Sequence, residues 1–338
     1  MIDKVEKIVS PVYMVGGSVR DKLLQKTPKD YDFCTPLLPE EIEQKIREAG
    51  KKPYLIGKRF GTIAMKLDGE MIEITTFRNE KYIKGSRKPE VNFVNNITAD
   101  LSRRDFRINA IALRNNKLID PFNGQDDLKT GIIQCVGKPT HRFKEDPLRM
   151  LRAGRFASQL GFDIECAIYK AVKDLRHKIL EVSKERWMIE FDKILMTDKP
   201  SVALNFFMES GLMNFLIPTL SLQYRYDQNS AYHTLDLWGH TSKALDSTPK
   251  DITLRWAILL HDVGKPFVRT DKFRIDEETN REYVKTNYIK HDLVGAELVE
   301  QIARHLKWSN DRRNTVINLV KNHLNDNSPL KEYDMKGK

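Results

Sequence analysis

The stretch Val12-Tyr13-Met14-Val15-Gly16-Gly17-Ser18-Val19-Arg20-Asp21, followed by Asp30-Tyr31-Asp32, most constrains what this chain can fold into. A short apolar run stops at a glycine pair, a helix-forming run follows, and two carboxylates stand two residues apart. The glycines let the backbone approach an anion closely, and the helix after them offers free N–H groups and the positive end of its dipole. A strand over residues 29–34 would put Asp30 and Asp32 on one face, about 7 Å apart along it. That arrangement suits two divalent cations bridging a triphosphate, so the segment predicts nucleotide chemistry.

Residues 11–137 read as mixed α/β. Residues 39–50 have helical spacing, and residues 59–67 and 71–77 read as strands around a turn at Asp68-Gly69. Glu73 is an isolated carboxylate in the β-branched run Ile72-Glu73-Ile74-Thr75-Thr76-Phe77-Arg78. It is either a third residue at the metal side or a solvent-facing residue on a half-exposed strand. Residues 79–100 are polar, contain Gly85-Ser86-Arg87-Lys88-Pro89, and read as a mobile loop. Arg103-Arg104-Asp105-Phe106-Arg107-Ile108-Asn109-Ala110 concentrates positive charge, and the segment from Asp120-Pro121-Phe122 to Leu128 reads as a turn closing the head.

In this order the motifs stop being generic. They are Gly16-Gly17-x-Val19-Arg20-Asp21, Asp30-x-Asp32, Glu73-x-Thr75-Thr76-Phe77-Arg78, Arg103-Arg104-Asp105-Phe106-x-x-Asn109-Ala110 and Asp120-Pro121-Phe122. Glu145-Asp146-Pro147-Leu148-Arg149-x-x-Arg152-Ala153-x-Arg155-Phe156 follows, then Glu185-Arg186 with Glu190-Phe191 and Lys193. Together they resemble the class II tRNA nucleotidyltransferase/poly(A) polymerase family over residues 11–200. The resemblance implies an α+β chain: a polymerase-β-like nucleotidyltransferase head of mixed sheet and helices, then an all-α neck and body. It implies that Asp30 and Asp32 bind two magnesium ions, and that Gly17 and Arg20 meet the incoming nucleotide's phosphates. Arg107 stands where the family usually has Thr, Gln25 where Gly is common, and Gln134 where Arg is common; none of the three removes a metal or nucleotide ligand.

Asp146, Arg149, Arg152 and Arg155 recur at a spacing of three, which on a helix makes one ladder along a face. Such a ladder is either a solvated stripe or a reader of bases. Arg offers only donors and ionised Asp only acceptors. Cytosine presents acceptors at O2 and N3 and a donor at N4; adenine presents an acceptor at N1 and a donor at N6. An Arg149–Asp146 pair satisfies either base, whereas uracil sets O4 against the carboxylate and guanine fails similarly at O6. A polar mismatch of this kind discriminates by ~10⁴ or more. In the family these positions form an amino-acid template, and the resemblance carries that role to Asp146 and Arg149 and places Arg104, Arg152 and Arg155 near the nucleotide. The expected reaction is addition of C, C and A to the tRNA 3′ end from CTP and ATP with loss of pyrophosphate. Poly(A) addition stays open because Leu55-Ile56-Gly57-Lys58-Arg59-Phe60 partly resembles a poly(A) polymerase signature. CC-only or A-only addition, a metal-dependent phosphohydrolase and an inactive RNA-binding protein also stay open.

Residues 144–222 read as helices only, with residues 146–160 the first. The head ends after its closing turn, and Pro218 with the polar residues 223–230 marks a second boundary, so the chain divides into residues 1–140, 141–225 and 226–338. Six of the eight histidines lie in the last part: His233, His240, His261, His291, His305 and His323. His261-Asp262-Val263-Gly264-Lys265-Pro266 resembles the doublet of the HD phosphohydrolase superfamily, an α-helical module attached to many bacterial members of the family above. With His240, His291 and His323 this doublet suits a transition metal or magnesium. A complete set ends on an aspartate of a later helix. Asp326 and Asp334 lie in what reads as a polar tail, so the module is expected to be truncated and phosphohydrolase activity to be secondary.

The bulk numbers fit this reading. A net charge of +10 favours a polyanionic partner, and no apolar run is long enough to span a membrane. Three scattered cysteines and an N-terminus without an apolar core point to the cytoplasm. No protein partner is implied.

Overall fold

Alternating apolar side chains lay down the sheet that carries the predicted site. In β5 (Glu70–Thr76), Ile72 and Ile74 are buried while Glu73 faces out; in β4 (Thr62–Leu67), Ile63 and Met65 are buried. The remaining strands of this sheet are β1 (Tyr13–Val15), β2 (Tyr31–Thr35), β3 (Pro53–Tyr54), β8 (Ala112–Arg114) and β9 (Lys117–Ile119). A separate ribbon pairs β6 (Arg78–Lys81) with β7 (Glu90–Phe93). The seven strands run in the order β3-β4-β5-β2-β1-β8-β9. β1 is antiparallel to both β2 and β8, and β2 is parallel to β5, with Asp32 opposite Glu73.

The computed structural model describes residues 1–28, 30–81, 90–229, 234–275 and 280–337. The chain forms two units, Met1–Asp146 with Asp163–Ile168, and Pro147–Phe162 with Tyr169–Lys338. A short parallel pair, β10 (Ile132–Ile133) with β11 (Asp163–Ile164), lies in the first.

The second unit is mostly helical. Its helices include Arg149–Leu160, Lys184–Leu195, Ser201–Glu209, Leu237–Ser247, Ile252–Leu260, His291–His305, Asn310–Lys321 and Lys331–Gly337. Asp236, Asp251 and Ser309 cap three of them by accepting hydrogen bonds from the first-turn N–H groups of Gly239, Thr253 and Leu254, and Arg312. Trp187, Phe191, Phe206, Phe207 and Trp256 are fully buried in this unit's core. The ribbon β12 (Thr270–Ile275) with β13 (Glu282–Asn287) interrupts the helices.

Several expectations are corrected. The all-helical reading of residues 144–222 misses β11, and the helical reading of the C-terminal part misses the β12–β13 ribbon. Residues 79–100 are not a plain loop: they carry β6, β7 and the helix Ile97–Ser102, while the glycine-containing segment 82–89 lies outside the described residues. The predicted helix over residues 146–160 starts at Arg149, and Asp146 is extended at φ −142°. The polar tail is the helix Lys331–Gly337.

Candidate functional site

Two sites emerge, one in each unit. In the first, β1 ends at Gly16, which has φ +69°; a Cβ there would lie 3.0 Å from Arg104 Nη1 and 3.7 Å from Asp32 Oδ2. Only glycine lets the turn pass that close. Asp32 lies in β2, whereas Asp30 occupies the bend just before it, so the two do not occupy alternate positions of one strand as expected. Asp30, Asp32 and Glu73 are all exposed. Partial desolvation raises the Asp32 carboxyl above its ordinary range, Arg104 opposes this and Asp30 adds to it. Glu73 is raised by desolvation and then by Asp32 and Asp30. These three carboxylates repel one another beside one arginine, an arrangement that multivalent cations relieve.

The arginines around them are held from behind. Asp100 is fully buried and accepts hydrogen bonds from Arg103 Nη2 at 2.8 Å, Arg104 Nη2 at 3.2 Å and the Arg78 N–H at 3.2 Å. Burial pushes its carboxyl up, but Arg104 and Arg103 outweigh that and hold it below the usual range. Arg20, also buried, donates to Asn109 Oδ1 at 2.9 Å and to Asp21. Asp120 caps the helix Gly124–Thr130 by accepting from the N–H groups of Gly124 and Gln125, each at 2.8 Å.

Asp146 closes the first unit, and Arg149 opens a helix in the second. On that helix Arg155 Nε lies 2.6 Å and Arg152 Nη1 3.9 Å from the buried carboxylate of Glu190, and both guanidinium groups lie over the Phe156 ring. Arg149 is buried. Arg152 and Arg155 thus meet the same carboxylate and ring, Arg149 opens their helix, and Asp146 does not belong to that helix.

The second site gathers His240, His261, Asp262, His291 and His323, all buried. It also takes Asp334, which belongs to the cluster rather than to a polar tail. Asp334 Oδ1 is 2.9 Å from His240 Nε2 and 3.2 Å from His261 Nε2. Asp262 stands between two groups: Oδ2 is 3.2 Å from His261 Nε2, and Oδ1 is 3.2 Å from His291 Nε2 and 3.7 Å from His323 Nε2. Lys265 Nζ, 2.7 Å from Asp262 Oδ2, also bonds Gln228. His233 lies outside the described residues, and His305 packs on Trp187.

The ring orientations are fixed by the backbone. Nδ1 of His261, His291 and His323 each lies 2.7 Å from the carbonyl three residues earlier, at Ile258, Tyr288 and Val320. A carbonyl only accepts, so each Nδ1 carries a proton; in their neutral form His291 and His323 turn a lone pair at Nε2 inward, whereas His261 Nε2 faces the acceptor oxygens of Asp262 and Asp334. Nε2 of His291 and His323 then face one another at 3.2 Å. Two lone pairs at that distance need a cation between them, either a proton or a metal ion. The carboxylates of Asp262 and Asp334, against the burial that opposes it, push His261 up to about 10, whereas burial and then the nearby His261 push His323 down to about 4. Each of the groups His240–His261–Asp262–Asp334 and Asp262–His291–His323 brings its ligand atoms within 4.8 Å of one another. Gly337 seals the cluster: a Cβ there would lie 2.7 Å from His240 Nδ1.

Fold and site define a nucleotidyltransferase head joined to a helical HD module. Models of three families match the chain: the poly A polymerase head domain over residues 12–134, the probable RNA- and SrmB-binding site of polymerase A over 161–223, and the HD domain over 231–336. A CCA-adding enzyme of Leuconostoc mesenteroides is 35% identical over 292 residues, covering 85% of this chain and 68% of that protein. One from Lactobacillus helveticus is 43% identical over 202 residues, covering 59% of this chain and 50% of that protein. The chain thus spans about half to two thirds of the length of these curated relatives. The solved Bacillus stearothermophilus CCA-adding enzyme in complex with CTP superposes with a TM-score of 0.64 at 27% identity, covering 99% of this chain and 79% of that one. A tRNA nucleotidyltransferase complexed with a primer tRNA and an incoming ATP analog gives 0.55 at 26% identity, covering 77% of this chain and 75% of that one. The chain belongs to the family of CCA-adding tRNA nucleotidyltransferases. That membership implies use of divalent metal ions. No helix among the described residues is long and apolar enough to cross a membrane.

Proposed function

We propose that this chain adds C, C and A to the 3′ end of tRNA, using CTP and ATP and releasing pyrophosphate, in the cytoplasm. The observation that carries the reading is the convergence of Asp32, Glu73 and Arg104 at the Gly16 turn. Similarity to enzymes solved with CTP and with tRNA and an ATP analog supports it. Asp30 and Asp32 would hold two magnesium ions, with Glu73 beside them; magnesium supplies Lewis-acid stabilisation of charge on the phosphates. Gly16 and Gly17 let the nucleotide's phosphates approach the backbone. Arg20 and Arg104 offer positive charge to those phosphates, with Arg104 kept in place by Asp100. Asp146 and Arg149 present the acceptor and donors that C and A satisfy and that U and G do not.

The test incubates tRNAs lacking the last one, two or three nucleotides of the terminus with single nucleotides and sequences the products. Ordered addition of C, C and A supports the reading. CC alone, A alone, a long A tail or no extension would each replace it with one of the alternatives.

A second reading concerns the HD module. The inward-facing Nε2 pairs and the shared Asp262 favour a two-ion centre. His240, His261, Asp262 and Asp334 would hold one ion, and Asp262, His291 and His323 the other. Ions bound there supply an activated water for phosphoester hydrolysis. Lys265, on the second oxygen of Asp262, keeps that carboxylate ionised and oriented. Metal content of the purified chain and its loss in His261→Ala test the centre directly; hydrolysis of 2′,3′-cyclic nucleotides with added nickel or cobalt tests the activity. Metal-free protein from metal-supplemented cells would remove this reading.

A further inference from the structure

One face of the β12–β13 ribbon carries three cations that no other described residue pairs with, while Asp276-Glu277-Glu278, between the two strands, lie outside the described residues. Its register pairs Lys272 with Lys285 and Arg274 with Tyr283 on one face, and Phe273 with Val284 and Ile275 with Glu282 on the other. The three cations therefore stand together on one side, and both carboxylates of the paired strands, Asp271 and Glu282, stand on the opposite side. Like charges placed directly opposite across two strands destabilise the pair. None of the three cations forms an ion pair with another described residue, and all are exposed.

The ribbon's base is nevertheless fixed. Asn229 Nδ2 donates to Thr286 Oγ1 at 2.9 Å, Thr286 donates to Asp271 at 2.7 Å, and Asp271 also accepts from Arg269 at 3.1 Å. The strand then runs through Tyr288, whose hydroxyl donates to Gln228 O at 2.7 Å, into the helix that His291 opens. A pinned ribbon holding a cationic face unpaired among the described residues, with one aromatic, is suited to meet an extended anion.

We propose that this face docks on the phosphate backbone of an RNA duplex, the stem of the tRNA, beside the HD cluster; the proposal rests on the tRNA-extending reading above. The major groove of an RNA helix is too narrow and deep for side chains to read, so the contact is to phosphates and 2′-hydroxyls across the shallow minor groove and is independent of sequence. Tyr283, cross-strand from Arg274, lies on the same face and can stack against a sugar or an unpaired base. A bilayer fits less well, because the apolar face that would insert also carries Glu282 and Asp271.

The test measures affinity of the full chain for tRNA lacking its terminus over a salt series, in the wild type, in K272Q/R274Q/K285Q and in a charge-matched control, K51Q/K52Q/K117Q. Each lost phosphate contact removes about 0.7–0.9 from the slope of log affinity against log salt, so the ribbon variant should lose about 2 and bind about ten-fold more weakly at low salt. Its thermal midpoint and its kcat at saturating tRNA should match the wild type, with the loss confined to KM for tRNA. Equal weakening by the control variant, or an unchanged slope, would overturn the proposal. So would loss of binding to phosphatidylserine vesicles with tRNA affinity intact. A wild type that binds tRNA with this ribbon-dependent slope but extends nothing would sink the tRNA-extending reading and leave the ribbon standing.

Discussion

The two carboxylate sites of this molecule are built on opposite principles. In the head, Asp30, Asp32 and Glu73 are exposed, and what surrounds them is one arginine and a glycine turn. In the HD module the candidate ligands other than Asp334 are buried, and the backbone holds Nδ1 of three of the imidazoles. An open set of like charges gains little by itself and becomes ordered when cations and a triphosphate arrive together. A buried set with lone pairs aimed at one another is costly until it is filled, so it suits ions that stay. The head should therefore depend on magnesium in the assay buffer, and the HD module on metal acquired during folding.

The sharpest way to break this comparison is to remove a carboxylate from each site. Asp32→Ala should lower nucleotide addition by about 10³-fold or more, with tRNA binding and the metal content of the purified protein unchanged. A variant that lost resident metal as well would show that the sites are not independent. Conversely, Asp262→Asn should cut resident metal from about two ions per chain to less than one while leaving addition within about two-fold. Asp262 is deeply buried, so Asp334→Ala is the companion: its side chain is 17% exposed, and it should weaken one ion by about ten-fold without unfolding the module. Full metal occupancy in both variants would refute the shared-ligand arrangement.

A middle-sized effect tests how the open site is kept in shape. Asp100→Asn leaves Arg103 and Arg104 without their buried counter-charge. KM for CTP and ATP should rise about ten-fold, with a smaller change in kcat, because Arg104 then samples other rotamers. A uniform loss for both nucleotides separates this from base selection, which an Asp146 variant would alter unequally.

How much of this was legible before the structure depends on the range of each interaction. Gly16, Asp32 and Arg104 carry local signals, since a turn, a strand and a basic run read as such. The pairing of Asp32 with Glu73 was not readable, because parallel neighbours are chosen by the crossover rather than by local pattern. Asp146 carries a local signal against the helical spacing: Pro147 follows it, and a residue before proline is pushed out of the helical region. Asp334 was lost because the seven residues Lys331–Gly337 carry no apolar period. The buried Leu330, the close approach of Gly337 to His240 and the contacts of Asp334 itself with His240 and His261 tie that helix down.

The smallest effect concerns two departures from the family pattern that the sequence shows as separate. Arg107 and Gln134 are neighbours: the Arg107 N–H donates to Gln134 O at 3.0 Å, and its guanidinium reaches Cys135 O at 3.3 Å. That guanidinium is 3.9 Å from Asp127, whose side chain is buried. Burial pushes the Asp127 carboxyl up to about 6, Arg107 offsets part of this, and Glu165, Asp120 and Asp126 add to it. A folded value above the unfolded one means that the unfolded chain ionises first. Stability from this group is therefore intact below about pH 4, falls between about pH 4 and 6, and is absent above that, a loss of at most about 3 kcal/mol. Asp127→Asn removes the titration while keeping the shape. Its thermal midpoint should exceed the wild type's by a few degrees near pH 7.5, with the gap closing by about pH 4. A variant less stable than the wild type at pH 7.5, and increasingly so as pH rises, would show instead that Arg107 holds Asp127 as an ionised partner.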